Sequence, residues 1–307
     1  MKNIKEIAKN KKLWAGLNKP EMDIKDVDVV IFGVPFDEGV SFRSGTKDAP
    51  DELRNITYTI SPTTENFESF QDLKVLDLGN AEGNDRTELF NSAEEITLKI
   101  LKEKKFFTMI GGDHSTTIPI HRAIDKYVDE QFGIIHIDAH FDLCDDMDGD
   151  KLSHGSTERR ALELNNVDSL DNLFFIGVRS IESDEFEIYN NNNVNVISSK
   201  EINKIGTEET IKTVVDKMKK FKYVYITLDI DCLDPAYAAG TGTPKFGGMT
   251  SRELLNILEG LFELPIIGMD IVEVAPKLDP SLTALFAARR IVTECWGHIY
   301  RKMKNVR

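Results

Sequence analysis

Eight stretches of the chain are almost continuously apolar, and most of them end in a polar residue. They are VVIFGVPFD (29–37), KVLDLGN (74–80), KKFFTMIGGD (104–113), FGIIHIDAH (132–140), LFFIGVRS (173–180), VNVIS (194–198), YVYITLDID (223–231) and PIIGMDIVEV (265–274). A strand with one wet face alternates between apolar and polar residues, whereas a strand covered on both faces does not. The eight runs therefore predict strands buried on both sides. Between them the period changes. In 206–220, Ile211, Val214, Val215 and Met218 recur at helical spacing. TSRE at 250–253 reads as a capping box before LLNILEGLF. A last helix, over about 281–302, carries Leu282, Leu285, Ile291, Val292, Cys295 and Ile299. The stretch 38–73 has little pattern and predicts loops and short helices, and NNNVN at 191–195 predicts a turn. Strands alternating with helices point to an α/β fold, a parallel sheet between two helical layers. With no linker, repeat or low-complexity tract in view, the expectation is a single domain over 1–307.

Composition narrows the class. Of 307 residues, 41% are hydrophobic and 29% charged, as in a soluble globular protein. No apolar run approaches the ~20 residues of a membrane helix. The start, MKNIKEIAKNKKLW, is basic but lacks the apolar core of a secretory signal, so the expected location is cytoplasmic. Three cysteines, Cys144, Cys232 and Cys295, without a CxxC pair, fit neither a disulfide framework nor a thiolate zinc site. A net charge of −14 argues against nucleic-acid binding and is compatible with a cationic substrate.

The candidate chemistry sits where the predicted strands end, which is where open parallel sheets bind ligands. GGDHS (111–115) places His114 just past a strand. In IIHIDAHFDLCDD (134–146), Asp138, His140 and Asp142 fall two apart and so share one side of an extended chain. His136 shares the alternation but lies deeper in the apolar run, where a hydrogen-bonded core role is expected. LDIDCLDP (228–235) brings Asp229 and Asp231 close together, and two such carboxylates repel unless a cation or a proton separates them. MDIVEVAP (269–276) places Glu273 in a largely apolar strand, where a partner is expected, an arginine being one candidate. Each cluster alone also fits an ordinary polar turn. Together, four aspartates and two neutral imidazoles carry four negative charges, the charge that two divalent cations balance. Hard oxygen and imidazole donors without sulfur suit manganese.

At this point GGDHS, DAHFD, SHG (153–155), DIDCLDP, TGTPKFGG (241–248) and DIVEVAP resemble, in order, the motifs of the arginase/agmatinase family of manganese ureohydrolases, and GVPFDEGVSFRSG (33–45) is similar to the agmatinase-side N-terminal signature. The resemblance covers about residues 28–300. It implies a three-layer α/β/α fold around a mainly parallel eight-stranded sheet. It implies two Mn2+ ions, one bound by His114, Asp138, Asp142 and Asp229, the other by His140, Asp138, Asp229 and Asp231. It further implies hydrolysis of a guanidinium by a hydroxide held between the metals and hydrogen-bonded to Asp142. Glu273 would pair with the guanidinium nitrogens, and His154 would pass a proton to the leaving amine and contact the substrate. Family members assemble as trimers or hexamers, so a homo-oligomer is expected.

The substrates of the family are arginine, agmatine, guanidinobutyrate, proclavaminate and formimidoylglutamate. Where arginases carry an Asn that reads the substrate carboxylate, this chain has Cys144, followed by Asp145, Asp146, Asp148 and Asp150. Such a loop would repel a carboxylate tail and accept an ammonium, with Asp145 the candidate contact. This favours a small cationic guanidino substrate, agmatine, cleaved to putrescine and urea. SHGSTERR, RSGTKDAPDELR and DEGV depart from the commoner agmatinase forms. Guanidinobutyrate, formimidoylglutamate or arginine are the alternatives within the family, and a catalytically silent binding homologue is the alternative outside enzymes.

Overall fold

The computed structural model describes residues 8–305. Each of the eight apolar runs contains a strand: β1 Val29–Gly33, β2 Val75–Asn80, β3 Phe106–Ile110, β4 Gly133–Ile137, β5 Leu173–Ile176, β6 Val196–Ile197, β7 Val224–Leu228 and β8 Ile266–Ile271. They form one sheet in the order β2-β1-β3-β8-β7-β4-β5-β6, and every neighbouring pair is parallel. The strands are shorter than the runs because the chain leaves the ladder where its polar tips begin. The helices are α1 Ala49–Asn55, α2 Arg86–Lys102, α3 Ile118–Tyr127, α4 Thr157–Ala161, α5 Glu185–Asn191, α6 Ser199–Ile205, α7 Thr207–Met218, α8 Ser251–Leu261 and α9 Thr283–Asn305. Thr250 and Glu253 form the expected capping box at the start of α8. Helix α2 lies outside the expected set because its buried stripe of Leu89, Phe90, Ala93, Thr97, Ile100 and Leu101 mixes small and polar residues with apolar ones.

The absence of alternation has a direct structural cause. Val29 and Ile31 of β1 belong to one apolar cluster, with α7, α8 and α9, while Val30 and Phe32 belong to the other, with α2 and α3. Successive side chains point to opposite faces, and both faces are covered. Among the described residues no helix is long and apolar enough to cross a membrane.

At one edge, Arg54 of α1 is buried and forks onto Asp77 of β2 through Nε at 2.8 Å and Nη2 at 2.9 Å. Trp14 Nε1 donates to the same carboxylate at 2.8 Å, so one ionic knot ties the N-terminal segment, α1 and β2 together.

For function the sheet order matters most. The four strands that precede the chemical motifs, β3, β8, β7 and β4, are contiguous in the middle of the sheet. Being parallel, they bring four tips from distant parts of the sequence to one edge.

Candidate metal centre

Main-chain pairing carries on just past each strand and aligns the tips. Asp138 N–H donates to Ile176 O at 3.0 Å, Asp229 N–H to Ile137 O at 2.9 Å, and Glu273 N–H to Gly112 O at 2.8 Å. Gly112 is required here, because a Cβ at that position would meet Phe36 O at 1.7 Å. Asp142 and Glu273 both adopt left-handed backbone, with φ of 54° and 61°. That conformation is costly for residues other than glycine and is characteristic of functional sites.

The expected ligands converge. His114 Nδ1 lies 3.0 Å from Asp138 Oδ2, 2.9 Å from Asp142 Oδ2 and 3.6 Å from Asp229 Oδ2. His140 Nδ1 lies 3.4 Å from both Asp138 Oδ1 and Asp231 Oδ2. Asp138 thus turns one oxygen to each histidine and joins two donor clusters. Asp229 reaches the His114 cluster with Oδ2, while its Oδ1 accepts the Asp231 N–H at 2.7 Å.

The donor set fits divalent cations. His114, Asp138 and Asp229 offer ligand atoms within 4.8 Å of one another, as do Asp138, His140 and Asp231. His114 Nδ1, Asp138 Oδ2 and Asp231 Oδ2 are buried and make no hydrogen bond. Buried polar atoms without partners are rare and call for an explanation. The far side of His114 is already organised. Its Nε2 lies 2.8 Å from Thr227 Oγ1, which lies 2.8 Å from Asp270 Oδ1. The Thr227 hydroxyl donates to the acid and accepts from Nε2–H, leaving Nδ1 with a free lone pair toward the acids, as a metal-binding imidazole needs.

The electrostatics agree. Burial, then the charges of Asp231 and Asp138, push the Asp229 carboxyl well above its usual range. Burial also raises Asp231. His140 loses by burial but is lifted to about 11 by Asp231 and Asp138. Negative charge is in excess here, and protons hold it together when no other cation does. His136 borders the cluster, its Nε2 3.2 Å from Asp138 Oδ2, and it also offers a ligand atom beside His114 and Glu158 and beside Asp138 and Asp142. It is buried, with Nδ1 at 3.1 Å from Glu158 Oε1 and Nε2 at 3.1 Å from His140 O.

Glu273 has no arginine partner among the described residues. Its Oε1 accepts the His114 N–H at 3.0 Å and faces His154 Nδ1 at 2.9 Å. Its Oε2 is buried without a partner. Burial disfavours charge on His154, but Glu273 outweighs it and lifts the imidazole pKa to about 9. Beside these residues opens a cavity of about 150 Å³, lined by His140, Asp142, His154 and Asp229 together with Cys144, Glu182, Glu185 and Lys245.

Asp145 requires a correction. It does not line this cavity but sits half-exposed, 2.7 Å from Arg160 Nη2 and 3.2 Å from Lys151 Nζ. Asp150 is likewise paired, 2.8 Å from Arg86. Two of the four acids of the loop are thus paired with cations. The acids that do reach the cavity, Glu182 and Glu185, come from the turn before α5 and its first residue, where no periodicity marked them. Lys245 was visible inside TGTPKFGG, but only its proximity to the cavity gives it meaning.

Known proteins complete the picture. The arginase family profile matches residues 27–296. A guanidinobutyrase of Pseudomonas aeruginosa is 35% identical over 269 residues, spanning 84% of this chain and 82% of that protein. An agmatinase of Neisseria meningitidis is 36% identical over 270 residues, 85% of this chain and 84% of its own. The crystal structure of an agmatine ureohydrolase of Thermoplasma volcanium superposes with a TM-score of 0.84 at 28% identity, covering 93% of this chain and 94% of the other. With the sheet order, the tip motifs and these matches in agreement, the chain belongs to the arginase family.

Proposed function

We propose that this protein hydrolyses agmatine to putrescine and urea, with two manganese ions held at the strand tips. His114, Asp138, Asp142 and Asp229 would hold one ion, and His140, Asp138, Asp229 and Asp231 the other. Bound there, the ions would polarise the guanidinium and lower the pKa of water enough to supply a nucleophile at neutral pH.

The chain's own residues do the rest. Glu273 Oε1 is fixed by His114 N–H, so Oε2 is left to accept a guanidinium N–H. Asp142 orients the attacking water. The oxygen adds to the guanidinium carbon, the bond to the alkyl nitrogen breaks, and His154 Nδ1 gives that nitrogen its proton. Glu182 and Glu185 line the same cavity and suit the ammonium at the far end of agmatine. The observation that carries this reading is the cluster of six candidate ligands in which three buried atoms, His114 Nδ1, Asp138 Oδ2 and Asp231 Oδ2, lack hydrogen bonds, next to a carboxylate with one unused oxygen.

A second reading rests on Lys245. It lines the same cavity and has no ion-pair partner among the described residues. A free ammonium there suits a carboxylate tail, as in guanidinobutyrate, and one curated relative bears the name guanidinobutyrase. The reaction would be the same and only the tail would differ. We further propose a homo-oligomer, which sedimentation of the purified protein tests.

The deciding experiment is a panel of agmatine, guanidinobutyrate, arginine and formimidoylglutamate incubated with manganese-loaded protein. Urea from agmatine at the highest kcat/KM is expected. A tenfold preference for guanidinobutyrate, about 1.4 kcal/mol of discrimination, would move the assignment to the second reading.

A further inference from the structure

Ser41 lies on the 37–45 loop, outside the ligand motifs. The loop is pinned onto the site from several directions. Gly39 N–H donates to Asp113 Oδ2 at 2.8 Å, and Gly39 O accepts the His154 N–H at 3.0 Å. Arg43 donates to the carbonyls of Thr241 at 2.9 Å and Gly242 at 3.0 Å. Gly45 N–H donates to Asp37 Oδ2 at 2.8 Å. Gly39 itself packs closely, since a Cβ there would come within 3.0 Å of Ser115 Oγ and 3.1 Å of Asp113 Oδ2.

What this pinned loop presents is Ser41. Its main-chain N–H lies 3.1 Å from His154 Nε2 and its hydroxyl 2.9 Å from the same atom. A main-chain N–H can only donate, so in the neutral ring Nε2 carries the lone pair and the proton sits on Nδ1, 2.9 Å from Glu273 Oε1. The hydroxyl can serve either protonation state, donating to a bare Nε2 and accepting from a protonated one.

We propose that Ser41 is a positioning residue for the proton donor. It holds the His154 ring so that the transferable proton faces the guanidinium-binding acid, and it satisfies Nε2 before and after transfer. The inference rests on the hydrolytic reading above. During the reaction the Nδ1–H bond breaks as the leaving nitrogen gains that proton and its bond to carbon breaks. Nε2 meanwhile takes the Ser41 hydroxyl proton and that oxygen takes one from solvent, so the ring stays neutral. Once the amine departs, Nδ1 takes a proton from solvent and Nε2 returns its own through Ser41 Oγ.

The test compares Ser41→Ala and Ser41→Thr in the manganese-loaded protein with agmatine. Ser41→Ala should lower kcat about tenfold, the scale of one lost hydrogen bond, with KM changed by less than about twofold. Ser41→Thr, which keeps the hydroxyl, should recover most of kcat. In a His154→Ala background, Ser41→Ala should cost nothing further, since a residue acting through His154 has nothing left to act on. A second arm needs no turnover. In 15N spectra of the metal-free protein, Ser41→Ala should shift the His154 Nε2 resonance and leave those of His121 and His298 in place. Full kcat in Ser41→Ala, an equal loss without His154, or an unmoved Nε2 resonance overturns the proposal. Wild-type protein that releases urea from no guanidino compound overturns the functional reading instead, and the spectra still decide whether Ser41 orients the ring.

Discussion

The main-chain N–H of His114 donates to Glu273 Oε1 at 3.0 Å, so a residue of the metal cluster fixes the acid proposed to hold the substrate. The two sit at the tips of β3 and β8, which are neighbours in the sheet. In the proposed function, the distance from metal to guanidinium would therefore be set by the strand spacing. Replacing Glu273 with Gln keeps the shape and removes the charge. We expect kcat/KM for agmatine to fall by about 10²-fold or more, the loss typical of a charge-assisted contact, with manganese content unchanged. Steady-state kinetics beside elemental analysis checks this.

Asp138 faces both histidines and is the acid whose loss should disturb both clusters. Asp138→Asn should leave fewer than two ions per chain and reduce urea release by several orders of magnitude. Asp145→Asn, a surface change by comparison, should leave both unaffected. Metal analysis after gel filtration distinguishes them.

The contrast between those two aspartates shows what the sequence disclosed. Asp138 was legible because it follows an apolar run, and a charged residue there needs a reason. Asp145 looked functional because it lies in an acidic loop, yet its partner Arg160 is placed by α4, and that pairing depends on tertiary structure. The eight strands were legible for the same reason as Asp138, since burial on both faces writes itself as unbroken apolar sequence. Thr227 and Asp270, which orient His114, were not, because their contact joins β7 to β8 and only the sheet brings them together. Glu182, Glu185, Lys245 and Ser41 lie on loops or at a helix start, and only the fold brings them to the cavity.

Lys245 should set the tail preference. Lys245→Ala should lower kcat/KM for guanidinobutyrate and raise it for agmatine, each by several-fold, as removal of one partly screened charge predicts. Ratios that do not move would exclude Lys245 from tail recognition.

Glu185 gives the site a pH dependence. Burial, with Asp142 and Asp184 adding to it against the N–H groups of Glu182 and Leu143, raises its carboxyl to about 7. The group is neutral below that value and charged above it. KM for agmatine should therefore fall as pH rises from about 6 to about 8, while KM for guanidinobutyrate should hold or rise. Glu185→Gln should abolish the trend. Because this acid's folded pKa is raised, its effect on stability has the same origin. The contribution is intact below the usual carboxylate range and is lost as pH climbs toward about 7.

The ionic knot at the sheet edge carries a stability prediction. Arg54→Met leaves Asp77 buried without its guanidinium. Breaking one side of such a pair costs about 3–5 kcal/mol. Denaturant unfolding should show that loss, with the activity of the remaining folded protein little changed.

The most direct measurement is an anomalous-difference map at the manganese edge from crystals of the manganese-loaded protein. Two peaks per chain are predicted on either side of the Asp138 carboxylate, one against His114 and one against His140. A single peak, or none at the tips of β3, β4 and β7, would contradict the account.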